Sequence, residues 1–218
     1  MRAGRLVAAL VLVVACAAGG LLATAAGAST SSSSSLPPSS RKDLVAIFEK
    51  KVKPLGLRVT RAALVNPAQV RDPNGTHLAI YVEPTGAYTP EDYLHGTVDV
   101  SKVFLPYVFT RWKGLKSFDV CQEPHPEVDN RPVPAPETQV YATRAGAKLV
   151  DWKTVDVATM IQTSQEQAAA TPTNGDVPFS LFVAKHLQIT PAYQTLAGTA
   201  ATTTPASTPA APTVRDYG

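Results

Sequence analysis

Residues 57–84 read LRVTRAALVNPAQVRDPNGTHLAIYVEP, and the fold turns on how this stretch is parsed. Leu57 to Val65 is rich in branched side chains and reads as a strand. In HLAIYVEP, Leu78, Ile80 and Val82 recur at every second position, the period of a strand with one face on a core. Between them, RDPNGTH is a strong turn signal, because Pro73 presets one backbone angle and Asn74-Gly75 tolerates left-handed ones. The stretch therefore predicts two strands joined by a turn. Asn74-Gly75-Thr76 also matches a glycosylation sequon, but the turn is sufficient reason for it.

Helices are predicted on either side. Ser40-x-x-Asp43 resembles a capping box, and Leu44, Val45, Phe48 and Val52 share one helical face. Lys50, Lys51 and Lys53 suit the negative end of the helix dipole, and Pro54 and Gly56 stop the helix. Downstream, Thr89-Pro90-Glu91-Asp92 is a second helix start. Val100, Val103, Phe104, Tyr107 and Val108 continue its apolar face, with an interruption expected at Gly96 and a kink or restart at Pro106. KSFDVCQ (Phe118 and Val120 inward) and TQVYATR (Val140 and Ala142 inward) read as two more strands. Asp151 or Thr154 is expected to cap a last helix carrying Trp152, Val155, Ala158 and Ile161. The order α-β-β-α-β-β-α predicts an α+β fold, a four-stranded mainly antiparallel sheet with helices packed on one face. VPFSLFVAKHL is a further apolar piece, which either packs back on the core or presents a contact to a partner. The layout is a leader over 1–28, a Ser/Pro-rich linker over 29–40, a globular domain over 41–165, an extension over 166–196 and a disordered Ala/Thr/Pro tail over 197–218.

The leader sets the compartment. Arg2 and Arg5 precede 23 uncharged residues, Leu6 to Ala28, the pattern of an export signal. Ala23-Thr24-Ala25 and Ala26-Gly27-Ala28 both fit a small-x-small cleavage site. Val13-Val14-Ala15-Cys16 resembles a lipobox and makes Cys16 the lipidation candidate; uncleaved, the segment is long enough to span a bilayer. Each of the three fates places the domain outside the cytoplasm. The Ala/Thr/Pro bias and the tethered layout resemble exported envelope proteins of GC-rich Gram-positive, actinobacterial type.

Reactive groups concentrate in DVCQEPHPEVDN, residues 119–130. Cys121, Glu123, His125, Glu127 and Asp129 recur with period two and would share one side of an extended chain. They lack the zinc spacings C-x2-C and H-E-x-x-H, and neighbours on one strand diverge instead of closing on an ion. A cysteine nucleophile needs a base and a group to orient it, and the surrounding carboxylates disfavour the thiolate. The cysteine contexts of the L,D-transpeptidases (S-H-G-C) and sortases (T-L-x-T-C) are missing. G-x-S-x-G, S-x-x-K with K-T-G, G-x-G-x-x-G and a P-loop are missing too. The expectation is a polar loop leaving a strand, with Cys121 as a half-buried strand residue. Cys121, Glu123 and His125 remain the candidate functional residues. Glu83, Glu91 and Asp92 as paired carboxylates, and Tyr81, Tyr88, Tyr93, Trp112 and Trp152 as a sugar platform, compete with ordinary caps, core and rim.

Charge is unevenly placed: residues 41–71 hold eight Lys/Arg against two Asp/Glu, while residues 72–99 hold five acids and no Lys/Arg. A basic unit directly after the tether suits an anionic membrane or wall polymer, against the plainer account of a solvated helix face. No nucleic-acid motif accompanies it, and no cofactor or metal is expected. The function expected is that of an exported or membrane-tethered non-enzymatic protein binding or supporting a cell-envelope protein or polymer. The alternative is a small extracytoplasmic hydrolase or thiol enzyme using Cys121 and His125.

Overall fold

The computed structural model describes residues 36–65, 76–125, 135–172 and 176–201. The leader with Cys16, the first part of the linker, the Asn74-Gly75 turn, Glu127, Asp129 and the tail from residue 202 lie outside the described residues. The elements are α1 (Arg41–Val52), β1 (Leu57–Val65), β2 (His77–Pro84), α2 (Pro90–Arg111), β3 (Ser117–Gln122), β4 (Thr138–Thr143), α3 (Val157–Ala170), β5 (Phe179–Val183), α4 (Lys185–Gln188) and α5 (Pro191–Ala201). Short 3-10 turns cover Lys53–Leu55 and Gly146–Lys148.

The fold is α+β, but the sheet has five strands, in the order β1-β2-β3-β4-β5, and it is mixed. The β1·β2, β3·β4 and β4·β5 pairs are antiparallel, and β2·β3 is parallel. The expected four strands and the order α-β-β-α-β-β-α are corrected accordingly. The parallel pair follows from α2: its 22 residues run about 33 Å at the usual rise, enough to return the chain to the end where β2 began. The fifth strand is the FSLFV piece, with Phe179, Leu181 and Val183 buried. Its period-two pattern is short, and only pairing with β4 makes it a strand.

The helix ends show how local chemistry is met. Thr89 and Asp92 form a reciprocal capping box at α2. The helix runs through Gly96 without the expected interruption and through Pro106 without a restart. At Gly96 an added Cβ would lie 3.2 Å from the Gln122 side chain, so close packing accounts for the glycine. Pro106 is exposed, where water can meet the carbonyl that the proline leaves without a donor. The cap of α3 is Asp156, not Asp151 or Thr154. Asp151 instead binds the Lys153 amide and Thr154 hydroxyl of the preceding turn.

These caps predict an acid limb. Bonds to Thr89 (backbone, then side chain) hold the Asp92 carboxyl below its ordinary range; the Lys153 amide and Thr154 hydroxyl do so for Asp151, and Thr159 does so for Asp156. A carboxylate depressed in the folded state adds stability above its unfolded pKa and loses it as pH falls through the folded one. The melting temperature should therefore hold from about pH 7 to about pH 5 and drop below about pH 4. Melts across that series should decline less steeply in D92N/D151N/D156N than in the parent, and an equal or steeper decline would contradict the assignment.

Among the described residues the helices' buried apolar side chains all join one cluster with one face of the sheet, and Phe48 is one of its fully buried members. Its ring meets Phe104 at 4.7 Å, Trp112 at 6.0 Å and Phe118 at 6.5 Å between centroids. Arg144, just past β4, closes the far end. Its guanidinium reaches the carbonyls of Phe109 (2.7 Å), Trp112 (2.6 Å), Lys113 (3.1 Å) and Leu115 (2.8 Å). It thereby satisfies the C-terminus of α2 and the following turn. Arg144→Ala should lower stability by about 2 kcal/mol, and Arg144→Lys should recover less than half of that, because an ammonium cannot fork. Equal urea midpoints for the Lys variant and the parent would refute the fork.

Side chains meet part of each sheet edge. On β1, which bulges between Val59 and Arg61, the Val59 amide donates to Glu49 (2.7 Å) and the Thr60 carbonyl accepts from Arg41 (3.1 Å). On β5 the Leu181 amide donates to the Ser164 hydroxyl (2.9 Å). Such caps take up some of the groups with which another strand would pair.

Candidate functional site

Strand alternation sends Leu78, Ile80 and Val82 toward the helices and His77, Ala79, Tyr81 and Glu83 to the opposite face. On β3 and β4 that opposite face receives Ser117, Asp119 and Cys121, and Gln139, Tyr141 and Thr143. The register places His77 beside Ser117, Ala79 beside Asp119 and Tyr81 beside Cys121. It also places Asp119 opposite Tyr141 and Cys121 opposite Gln139. Ala79, Tyr81 and Cys121 form an apolar cluster separate from the helix-side core.

The centre of this face is a bonded polar group. His77 Nδ1 lies 2.9 Å from Ser117 Oγ, and its Nε2 lies 3.2 Å from Asp119 Oδ2. Gln139 Nε2 donates to the same carboxylate oxygen at 3.1 Å. Cys121 Sγ is 3.9 Å from Asp119 Oδ1, and the Tyr141 ring stacks on His77 at 5.9 Å and 22°. His77, Ser117 and Asp119 are each 0% exposed. In the tautomer with the proton on Nε2, Asp119 accepts that proton's bond and Nδ1 is left to accept from the Ser117 hydroxyl. Chemically this is a hydroxyl, an imidazole and a carboxylate in series.

A second group lies toward β1. Arg61 sits 3.7 Å above the Tyr81 ring and 3.8 Å from Glu123 Oε1. Thr60 donates its hydroxyl to Glu123, and Arg58 pairs with Glu83.

The residues singled out from DVCQEPHPEVDN are thus separated. Cys121 is 1% exposed, beside Asp119. Glu123 is held by Thr60 and Arg61. The backbone amide of His125 donates to the Tyr93 hydroxyl of α2 (3.1 Å). Among the described contacts none joins Cys121 to Glu123 or His125. The histidine on the cysteine's face is His77, which sequence reasoning missed. The signal was present: the positions between Leu78, Ile80 and Val82 begin with His77, and those between Phe118 and Val120 hold Ser117, Asp119 and Cys121.

The remaining candidates do not converge. Glu91 is 3.7 Å from His95 on the exposed side of α2, Asp92 caps that helix, and Glu83 pairs with Arg58. Trp112 is core; Trp152 Nε1 donates to the Ala147 carbonyl (2.7 Å); Tyr88 packs edge-on against Tyr93. Among the described residues no group of three His, Cys, Asp or Glu side chains is placed to hold a metal ion. On the helix side a crevice lined by Leu94, Val98, Met160, Leu181 and the paired hydroxyls of Thr97 and Thr138 is too narrow for water. No protein-family model, no curated protein and no solved structure matches the chain.

Proposed function

We propose that the chain is an exported or membrane-tethered, non-enzymatic protein of actinobacterial envelope type that acts by binding or supporting a cell-envelope component. One observation supports the non-catalytic part: the reactive groups that come together among the described residues, His77, Ser117, Asp119 and Cys121, are buried and bonded among themselves on adjacent strands. In that setting they position the scaffold, and contact with a partner falls to the exposed surface. Export rests on the leader pattern of residues 2–28. Cell fractionation with intact-mass analysis tests it. The expected product is in the envelope or medium, cleaved, lipidated at Cys16 or uncleaved in the membrane; a soluble cytosolic chain retaining Met1 sinks it. For the binding part, the product should co-sediment with isolated envelope, and quantitative recovery in the supernatant would count against it.

A second reading, a small extracytoplasmic hydrolase, is favoured by the Ser117–His77–Asp119 series, which takes the place of the expected Cys121–His125 pair. The two readings part on reactivity. In the scaffold reading the Cys121 thiol, 1% exposed, should alkylate at least about 100-fold more slowly in the folded protein than in urea, and Ser117 should resist a fluorophosphonate. Rapid labelling of Ser117 that is lost in His77→Gln would establish the hydrolase.

A further inference from the structure

The outward side of α1 is cationic in a regular way. Leu44, Phe48 and Val52 face the core, so helical spacing puts Lys42, Ala46, Lys50 and Lys53 on the opposite side. Lys42, Lys50 and Lys53 are exposed. Of the two acids on the helix, Glu49 is turned to the Val59 amide (2.7 Å), which leaves Asp43 at the edge of the stripe. On the flank toward α2, Lys51 sits 3.7 Å over the half-buried Tyr107 ring and exposed Arg111 lies 5.8 Å from it. A tyrosine among cations is a side-chain set suited to the polar boundary of a bilayer. Position in the chain adds a constraint: residues 29–40 separate the apolar leader from Arg41. Twelve residues reach at most about 40 Å.

We propose that this face of α1, Lys42, Lys50 and Lys53 with Lys51, Tyr107 and Arg111 beside them, docks on the anionic phospholipid surface that the chain's own leader enters. The proposal rests on the tethered form of the function above. Docking orients the domain with its β1 edge toward the bilayer and its β5 edge away. Each lysine near an anionic leaflet adds several-fold to the docked population, so three together change it by roughly 100-fold.

The test uses the full chain reconstituted into vesicles of phosphatidylcholine alone, or with one-third phosphatidylglycerol, and lysine acetylation read by mass spectrometry. The leader should make the protein float with both vesicles. Lys42, Lys50 and Lys53 should then acetylate at least about tenfold more slowly on the anionic vesicles, recovering in about 1 M salt. Lys185, beside β5 at the other edge, should be indifferent. In K42E/K50E/K53E, which should stay folded although acids in the last turn of α1 oppose the helix dipole and lower the melting temperature by a few degrees, the lipid-dependent protection of Lys51 should vanish. Flotation with both vesicles but equal acetylation rates, or protection that persists in high salt, overturns docking while leaving the tether intact. Failure to float with either vesicle overturns the tether and docking with it. Protection by a soluble anionic wall polymer but not by anionic vesicles also overturns the lipid assignment.

Discussion

Gly146→Ala is expected to cost about 4 kcal/mol or more and to release β5 from the sheet. An alanine Cβ at this position would stand 1.8 Å from the Pro178 carbonyl oxygen and 2.5 Å from its carbon. The obstacle is backbone, so no rotamer change relieves it. Nor can Pro178 withdraw freely: its carbonyl accepts from the Thr143 amide at 2.8 Å, and the next residue, Phe179, is 0% exposed. The Gly146 amide is itself tied to the Thr143 hydroxyl at 3.0 Å. Close approach is thus the reason for glycine here, unlike Gly56, where a φ of 69° is. Hydrogen exchange of residues 179–183 and a urea midpoint would measure the loss. Gly86→Ala, with nothing within 4 Å of the added carbon, is the control and should be nearly neutral. A Gly146→Ala midpoint within about 0.5 kcal/mol of the parent would show that the crossing at Pro178 gives way easily.

Asp119→Ala should be nearly as damaging, at about 3–5 kcal/mol. The carboxylate is fully buried and accepts from Gln139 and, in the tautomer with the proton on Nε2, from His77, so its loss deprives both donors of this acceptor in a dry setting. Asp119→Asn keeps the volume and one acceptor oxygen and should lose less, about 2 kcal/mol. A cycle with His77→Ala isolates the pair: if the two residues act through each other, the double variant should be much less destabilised than the sum of the singles. Additive losses in urea melts would mean that the 3.2 Å approach carries no coupling.

The fold was legible where its cause is local. The spans Leu57–Val65 and HLAIYVEP, read from alternation and turn chemistry, match β1 and β2 to the residue. The inward pairs Phe118/Val120 and Val140/Ala142 are in the helix-side core. Misreadings occurred where a neighbour distant in sequence decides. Gly96 weakens an isolated helix and Pro106 favours a restart, yet α2 continues through both because the sheet packs against it on one side and solvent meets it on the other. Asp151 and Thr154 are the caps expected from composition, whereas Asp156 is the residue that accepts the Thr159 amide, with Val157, Met160 and Ile161 of the same helix in the core; Trp152 and Val155, expected on that helix, precede it.

The candidate site shows the same division more sharply. Sequence clustering drew notice to His125 because it lies four residues from Cys121. The sheet instead brings His77 to Ser117 and Asp119, some 40 residues away in the chain.

The amino-acid order alone determined the strand spans of the first hairpin, the core faces of α1 and α2 and the cationic side of α1, since each depends on groups within a few residues of one another. The tertiary structure decided that β3 joins β2 in parallel, that FSLFV becomes a fifth strand, and that a histidine, a serine and an aspartate meet beneath Tyr141. Those outcomes depend on pairing between distant segments, and side-chain period and turn chemistry constrain which face a residue takes but not which strand lies beside it.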